Sequence, residues 1–170
     1  IDDLFEQVEF FVDSVSDYKS DFVLFPEYFN APLMSKFNDM GEAQSIRGLA
    51  QYTEKIRDRF VELAISYNIN IITGSMPYVK EDGGLYNVGF LCRRDGSVDM
   101  YEKIHVTPDE QKSWGLSKGN RVQTFDTDCG RIGVLICYDV EFPELSRLMA
   151  VDGMQILFVP FMTDTQNAYT

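Results

Sequence analysis

The sequence predicts an α/β fold built on a mixed sheet, and three observations carry that prediction. Apolar residues recur first at helical three- and four-residue spacing and then in short unbroken runs, so helices alternate with buried strands. An Asp95-Gly96 pair sits between two strand-like segments as a hairpin signal, which makes part of the sheet antiparallel. The chain has 170 residues, 45% of them hydrophobic and 14% aromatic, which is material for one ordered domain with its own core.

In chain order, Ile1, Leu4, Phe5, Val8, Phe11, Val12 and Val15 form the apolar stripe of a first amphipathic helix, with acidic residues largely opposite. Phe22 to Phe25 is a short apolar strand stopped by Pro26, which cannot donate to a ladder, so Glu27 is expected just past the strand end. Residues 30–45 hold Pro, Gly, Asn and Asp and read as an irregular loop. Ile46, Leu49, Ile56, Phe60, Leu63 and Tyr67 share the face of a second helix, ended by Asn68 and Asn70, and 69–73 reads as a buried strand. Strands follow at 86–93 and 98–106, then at 132–136. A helix enters near Pro143, which suits a first helical turn, and the last strand is 156–159. The first helix begins without a preceding cap and the chain stops soon after a strand, so both ends read as cut.

Charge and cysteine usage exclude several roles. The formal net charge is −12, the reverse of the clustered basic surface that binds a phosphate backbone, so no nucleic-acid partner is expected. The longest apolar runs fall short of the roughly 20 residues that span a bilayer, so no membrane role is expected. Cys92, Cys129 and Cys137 make an odd count with no Cys-x-x-Cys pair. Reduced thiols in a cytoplasmic protein fit better than a disulfide framework, and a structural metal site is not expected.

Three positions can carry chemistry. Cys137 ends an apolar strand at a strand-to-helix turn. Such a turn exposes a side chain at the sheet edge, near backbone N–H groups and a positive helix end that favour a thiolate. The same position also suits a small buried hydrophobe. Glu27, at the rim of an apolar sheet, is placed for a carboxylate whose pKa is raised by desolvation, as a general base near neutrality requires; a solvated charge is the plainer alternative. Strand alternation over 101–106 puts Tyr101, Lys103 and His105 on one face, where Lys103 can border a polar pocket or merely protect a sheet edge. His105 is the one histidine of the chain and reads as a structural hydrogen-bonding residue.

Taken together, Phe25-Pro26-Glu27-Tyr28, Tyr101-Glu102-Lys103-Ile104-His105 and Gly133-Val134-Leu135-Ile136-Cys137-Tyr138-Asp139, followed by Phe142-Pro143-Glu144-Leu145, closely resemble the nitrilase (carbon–nitrogen hydrolase) superfamily in composition, order and spacing. The resemblance spans nearly the whole chain. Its Pro108-to-Trp114 segment also resembles the branch sometimes fused to an acetyltransferase-like domain, whereas Glu141 stands where many relatives carry arginine. The resemblance implies an α-β-β-α sandwich of four layers with mixed sheets. Residues 1–170 would then form a single carbon–nitrogen hydrolase domain lacking its first strand and its C-terminal part.

It further implies hydrolysis of an amide, less readily a nitrile, through a Cys137 thioester. Glu27 would be the base, and Lys103 with the Tyr138 backbone N–H would hold the oxyanion. Glu110 is the candidate for a second glutamate that positions the lysine or the substrate. No cofactor is implied, and the expected partners are a small-molecule amide or nitrile and a second copy of the chain, as a homodimer or higher homo-oligomer. Two other functions fit the same fold: a catalytically silent scaffold, and a glutaminase supplying ammonia. The latter would want a histidine after Cys137, a stretch in which this sequence has none.

Overall fold

The computed structural model describes residues 1–163. The first sheet grows from β1 (Phe22–Leu24), β2 (Asn70–Ile72), β3 (Met76–Val79), β4 (Leu85–Cys92) and β5 (Val98–Glu102). β1 and β2 are parallel, while β2, β3 and β5 all run antiparallel to β4. Val88 pairs with both Met76 and Glu102, and Leu91 with both Ile72 and Asp99, so β2 and β3 share one edge of β4 and β5 takes the other. The second sheet has β6 (Thr124–Thr127) antiparallel to β7 (Gly130–Val134), which runs parallel to β8 (Ile156–Phe158).

Side-chain alternation along these strands builds the layers. Ile71, Val88, Phe90 and Cys92 face one core, shared with Leu4, Val8 and Val12 of α1 (Asp2–Asp17) and Ile56, Phe60 and Leu63 of α3 (Thr53–Ser66). Ile72, Leu91 and Tyr101 face the opposite way and meet Phe125, Ile132, Val134 and Ile136 of the second sheet. Leu135, on the far side of that sheet, packs on Leu145 and Met149 of α5 (Pro143–Val151). The order is helix, sheet, sheet, helix: the four-layer sandwich expected from the motifs.

Between the sheets the packing depends on Gly89. A Cβ there would overlap the Gly74 carbonyl and the Tyr101 ring, whose hydroxyl donates to that same carbonyl at 2.6 Å. Gly89→Ala is therefore expected to destabilise the protein by about 3 kcal/mol, read as a lowered urea midpoint at unchanged slope.

Several sequence expectations need correction. The helix read through residues 46–67 is two helices, α2 (Glu42–Leu49) and α3, separated by a 3-10 turn at Ala50–Tyr52. The buried Thr53 hydroxyl donates to the Pro77 carbonyl, at 2.5 Å, where the new helix starts. The loop read at 30–45 contains a 3-10 helix, Ala31–Phe37, and the start of α2. β3 was hidden by Pro77, which is tolerated because β3 pairs only with β4 and its other edge needs no donor. β6 and the short α4 (Pro108–Lys112) also went unread. The hairpin at Asp95-Gly96 is present, with Gly96 at φ 87 accepting the left-handed turn. The strand read through 98–106 stops at Glu102, because the N–H groups of Ile104 and His105 turn away to the Asp139 carboxylate.

Candidate active site

Three backbone departures present the candidate residues at neighbouring strand ends. Beyond β1 the pairing continues as Phe25 N–H donating to Ile72 O, and an isolated bridge then joins Glu27 to Ser75. This approach needs Gly74, at φ 68, because a Cβ there would strike the Pro26 carbonyl. Beyond β7 the ladder to β8 continues through Leu135 N–H to Phe158 O and Cys137 N–H to Pro160 O. Cys137 itself then turns left-handed, at φ 48, into a 3-10 turn ahead of α5. Tyr28 is also left-handed, at φ 50. Non-glycine residues adopt this conformation at a cost of order 1–3 kcal/mol, and such residues concentrate at functional sites.

Lys103 and Glu27 are all but inaccessible, at 1% and 3% exposure. The lysine Nζ lies 2.8 Å from Glu27 Oε1 and 2.8 Å from both oxygens of Glu110. Asn87 Nδ2 donates to Glu27 Oε1 at 3.0 Å, and the Tyr28 hydroxyl donates to Glu110 Oε1 at 2.9 Å. Glu110 is fixed from behind by a reciprocal cap on α4, in which Thr107 Oγ1 accepts from the Glu110 N–H and Glu110 Oε2 accepts from the Thr107 N–H. The Cys137 thiol comes from the second sheet and lies within hydrogen-bonding reach of Glu27. The Met162 N–H donates to the other Glu27 oxygen at 3.2 Å, and the Met162 carbonyl is 3.8 Å from Cys137 Sγ.

The electrostatics separate the two carboxyls. Burial raises the Glu27 pKa above its ordinary 4.5, and the Lys103 charge offsets this only in part. Burial acts on Glu110 in the same sense. There the Lys103 charge and hydrogen bonds from Lys103, the Thr107 backbone and Tyr28 prevail, so its pKa is lowered. Burial works against the Lys103 ammonium, but the two glutamates outweigh it and hold its pKa above 10.5. With both carboxylates ionised the cluster carries one net negative charge, which disfavours a standing thiolate beside it. The arrangement suits a neutral thiol that loses its proton to Glu27 as it reacts.

A third carboxylate ties the two sheets together. Asp139, 1% exposed, accepts from the backbone N–H groups of Ile104 at 3.1 Å and His105 at 2.7 Å, and its Oδ1 is 3.0 Å from His105 Nδ1. The His105 ring stacks on Phe142 with centroids 3.6 Å apart.

Glu27, Lys103, Cys137 and Glu110, singled out in the sequence, all come together here. Tyr138 follows directly in the turn, its ring edge-on to Phe142. His105 has the structural role expected of it. Two expectations change. Cys137 is buried, at 8% exposure, rather than exposed at the sheet edge. Lys103 lies just past β5 rather than within a strand. Tyr28 and Asp139 lie in the motif segments and Asn87 in the strand expected at 86–93, and local sequence assigns none of the three a part in the site. For Asn87 the available signal was an amide inside the otherwise apolar run of β4.

A four-layer sandwich whose sheet ends gather a thiol, an ammonium and two carboxylates is the arrangement that the nitrilase superfamily motifs imply. The chain belongs to the carbon–nitrogen hydrolase family, whose model matches residues 1–169. Probable hydrolase YhcX of Bacillus subtilis is 47% identical over 163 residues, covering 96% of this chain and 32% of that protein. Omega-amidase NIT2 of Homo sapiens is 36% identical over 151 residues, covering 81% of this chain and 50% of that protein. The chain thus spans between 32% and 50% of the length of these curated relatives. The carbon–nitrogen hydrolase of Helicobacter pylori G27 has the same fold, with a TM-score of 0.83 at 21% identity over 98% of this chain and 58% of that one. Among the described residues no helix is long and apolar enough to cross a membrane.

Proposed function

We propose that this chain carries the catalytic centre of an amide hydrolase that works through a thioester on Cys137. The observation that supports this most is the convergence of Glu27 and Lys103 from the ends of one sheet and Glu110 from α4 with the Cys137 thiol from the other sheet. In the first half-reaction Cys137 Sγ attacks the amide carbon while Glu27 takes the thiol proton. The oxyanion is met by the Lys103 ammonium and the Tyr138 backbone N–H. An ammonium has three donors. One serves Glu27, one is shared by the two Glu110 oxygens, and the third is left for the oxyanion. Glu27 then returns its proton to the leaving nitrogen, and ammonia departs. In the second half-reaction Glu27 deprotonates a water that attacks the thioester, releasing the carboxylic acid and restoring the thiol. The balance is amide plus water giving acid plus ammonia. Glu110 is a positioning residue that keeps Lys103 charged and directed.

The test is a panel of simple primary amides given to the intact protein, with ammonia release and intact-protein mass both followed. Release of ammonia together with an acyl adduct confined to Cys137 is expected. Ammonia release with the adduct elsewhere, or none with any amide, removes the proposal.

The raised Glu27 pKa adds a pH expectation. The base works only when ionised, so kcat/KM falls as pH drops through its pKa, and burial moves that acid limb above pH 4.5. A pH–rate profile with its acid limb at or below pH 4.5 contradicts the assignment. Self-association is also proposed. It is supported by Leu148 and Val151 of α5, which are exposed at 57% and 89%, and light scattering in solution measures it directly.

A further inference from the structure

Beside the cluster lies a pocket of about 320 Å³, at the small end of the roughly 300–1,000 Å³ of small-molecule sites. Two of its lining residues, Tyr28 and Met162, belong to the cluster as well, since the Tyr28 hydroxyl donates to Glu110 and the Met162 backbone contacts both Glu27 and Cys137. The walls are apolar: Met34, Ile46, Leu49 and Trp114. The Trp114 ring is held edge-to-face on Tyr28, with centroids 5.5 Å apart.

Among the lining residues only Glu42 carries a charge. It is exposed, in the first turn of α2. Of the cations on the neighbouring elements, Lys112 of α4 is exposed and does not line the pocket, and two others lie against groups outside the lining. The Arg47 guanidinium donates to the Gly83 carbonyl at 3.1 Å, and the Lys36 ammonium lies 5.9 Å from the Tyr52 ring.

We propose that this pocket receives the acyl chain of the substrate and selects an aliphatic amide with a cationic group at its far end. The inference rests on the hydrolase reading above and adds the substrate class to it. The methylene chain lies along the apolar walls, where burial of each CH₂ is favourable. An ammonium at the far end meets the Glu42 carboxylate. A carboxylate at that end would meet a like charge with no lining cation to offset it.

The experiment compares kcat/KM of the intact protein for propionamide, hexanamide, 6-aminohexanamide and the monoamide of adipic acid, in wild type and in Glu42→Lys. Exposed opposite- and like-charge contacts are individually weak, so the aminoamide should lead the acid amide by about tenfold, and Glu42→Lys should reverse that order. An acid amide that equals or outruns the aminoamide overturns the proposal, as does an order that Glu42→Lys leaves alone. Cys137-dependent cleavage of propionamide, with equal rates for the three longer amides, overturns the pocket assignment while the hydrolase reading stands. Cleavage of none of the four by the folded protein, with no acyl adduct on Cys137, overturns the hydrolase reading itself.

Discussion

Cys137→Ala is expected to lower kcat/KM for amide hydrolysis by about 10⁴-fold or more, with the fold unchanged. Removing a nucleophile deletes the covalent route, and the groups left behind have no partner through which to act. The structural cost is small. Alanine keeps the backbone atoms of the turn, including the Cys137 N–H donated to Pro160 O, and gives up a single sulfur from a packed site. A loss of about 1 kcal/mol is the expected scale for so small a truncation. Circular dichroism and a urea midpoint report the fold, and steady-state ammonia release reports the chemistry. Activity within tenfold of wild type, in a folded variant, would mean that another group attacks the amide.

The second large effect is Lys103→Met, which acts on rate and stability together. The rate arm follows from the oxyanion: losing one donor of this kind costs about 10²–10³ in kcat. The stability arm follows from burial. Glu27 and Glu110 share the lysine at 2.8 Å, and all three side chains are at most 5% exposed. Without the ammonium two carboxylates face each other in a dry site, a change of the kind that costs about 3–5 kcal/mol.

That cost depends on pH with a definite sign. In the variant burial still raises both carboxyls while the lowering by Lys103, which prevails at Glu110 in the wild type, is lost, so both folded-state pKa values are expected above the ordinary 4.5. The folded state then holds protons that the unfolded chain has released. The penalty is absent below pH 4.5 and grows as pH rises through the raised values. Urea midpoints for wild type and variant should therefore converge in acid and separate toward neutrality. A constant gap across that range would mean that the lysine does not hold the carboxylates ionised.

How much of this was legible in the sequence depended on whether a residue's setting is local. Glu27 could be placed because Pro26 stops β1 in front of it, and the Cys137 turn because an apolar strand runs straight into polar residues and then Pro143. The helices of the first layer and the Asp95-Gly96 hairpin were legible for the same reason, since period and turn chemistry are written in adjacent residues. What escaped depends on contacts between distant segments. β3 is a strand despite Pro77 because it lies at an edge, and the helix breaks before Thr53, whose hydroxyl is bonded to the Pro77 carbonyl. Strand period alone could not show that Lys103 leaves β5 for a buried site between two glutamates. Asn87 and Tyr28 enter the cluster only once β4 and the turn after Glu27 are folded against α4.

The Asp139 carboxylate has one more consequence. Glu27 and Lys103 ride on one sheet and Cys137 on the other, and much of what joins the sheets is apolar contact, which resists separation but hardly resists sliding. Hydrogen bonds are directional, and Asp139 accepts from two backbone N–H groups of the segment after Lys103 and pairs with the His105 ring nitrogen, which fastens that segment to the turn that holds Cys137. It acts as a registration pin: any slip of one sheet over the other must first break these bonds. Since a misplacement of about 1 Å can cost 10²-fold in rate, a carboxylate that never meets the substrate sets the alignment on which the reacting groups depend.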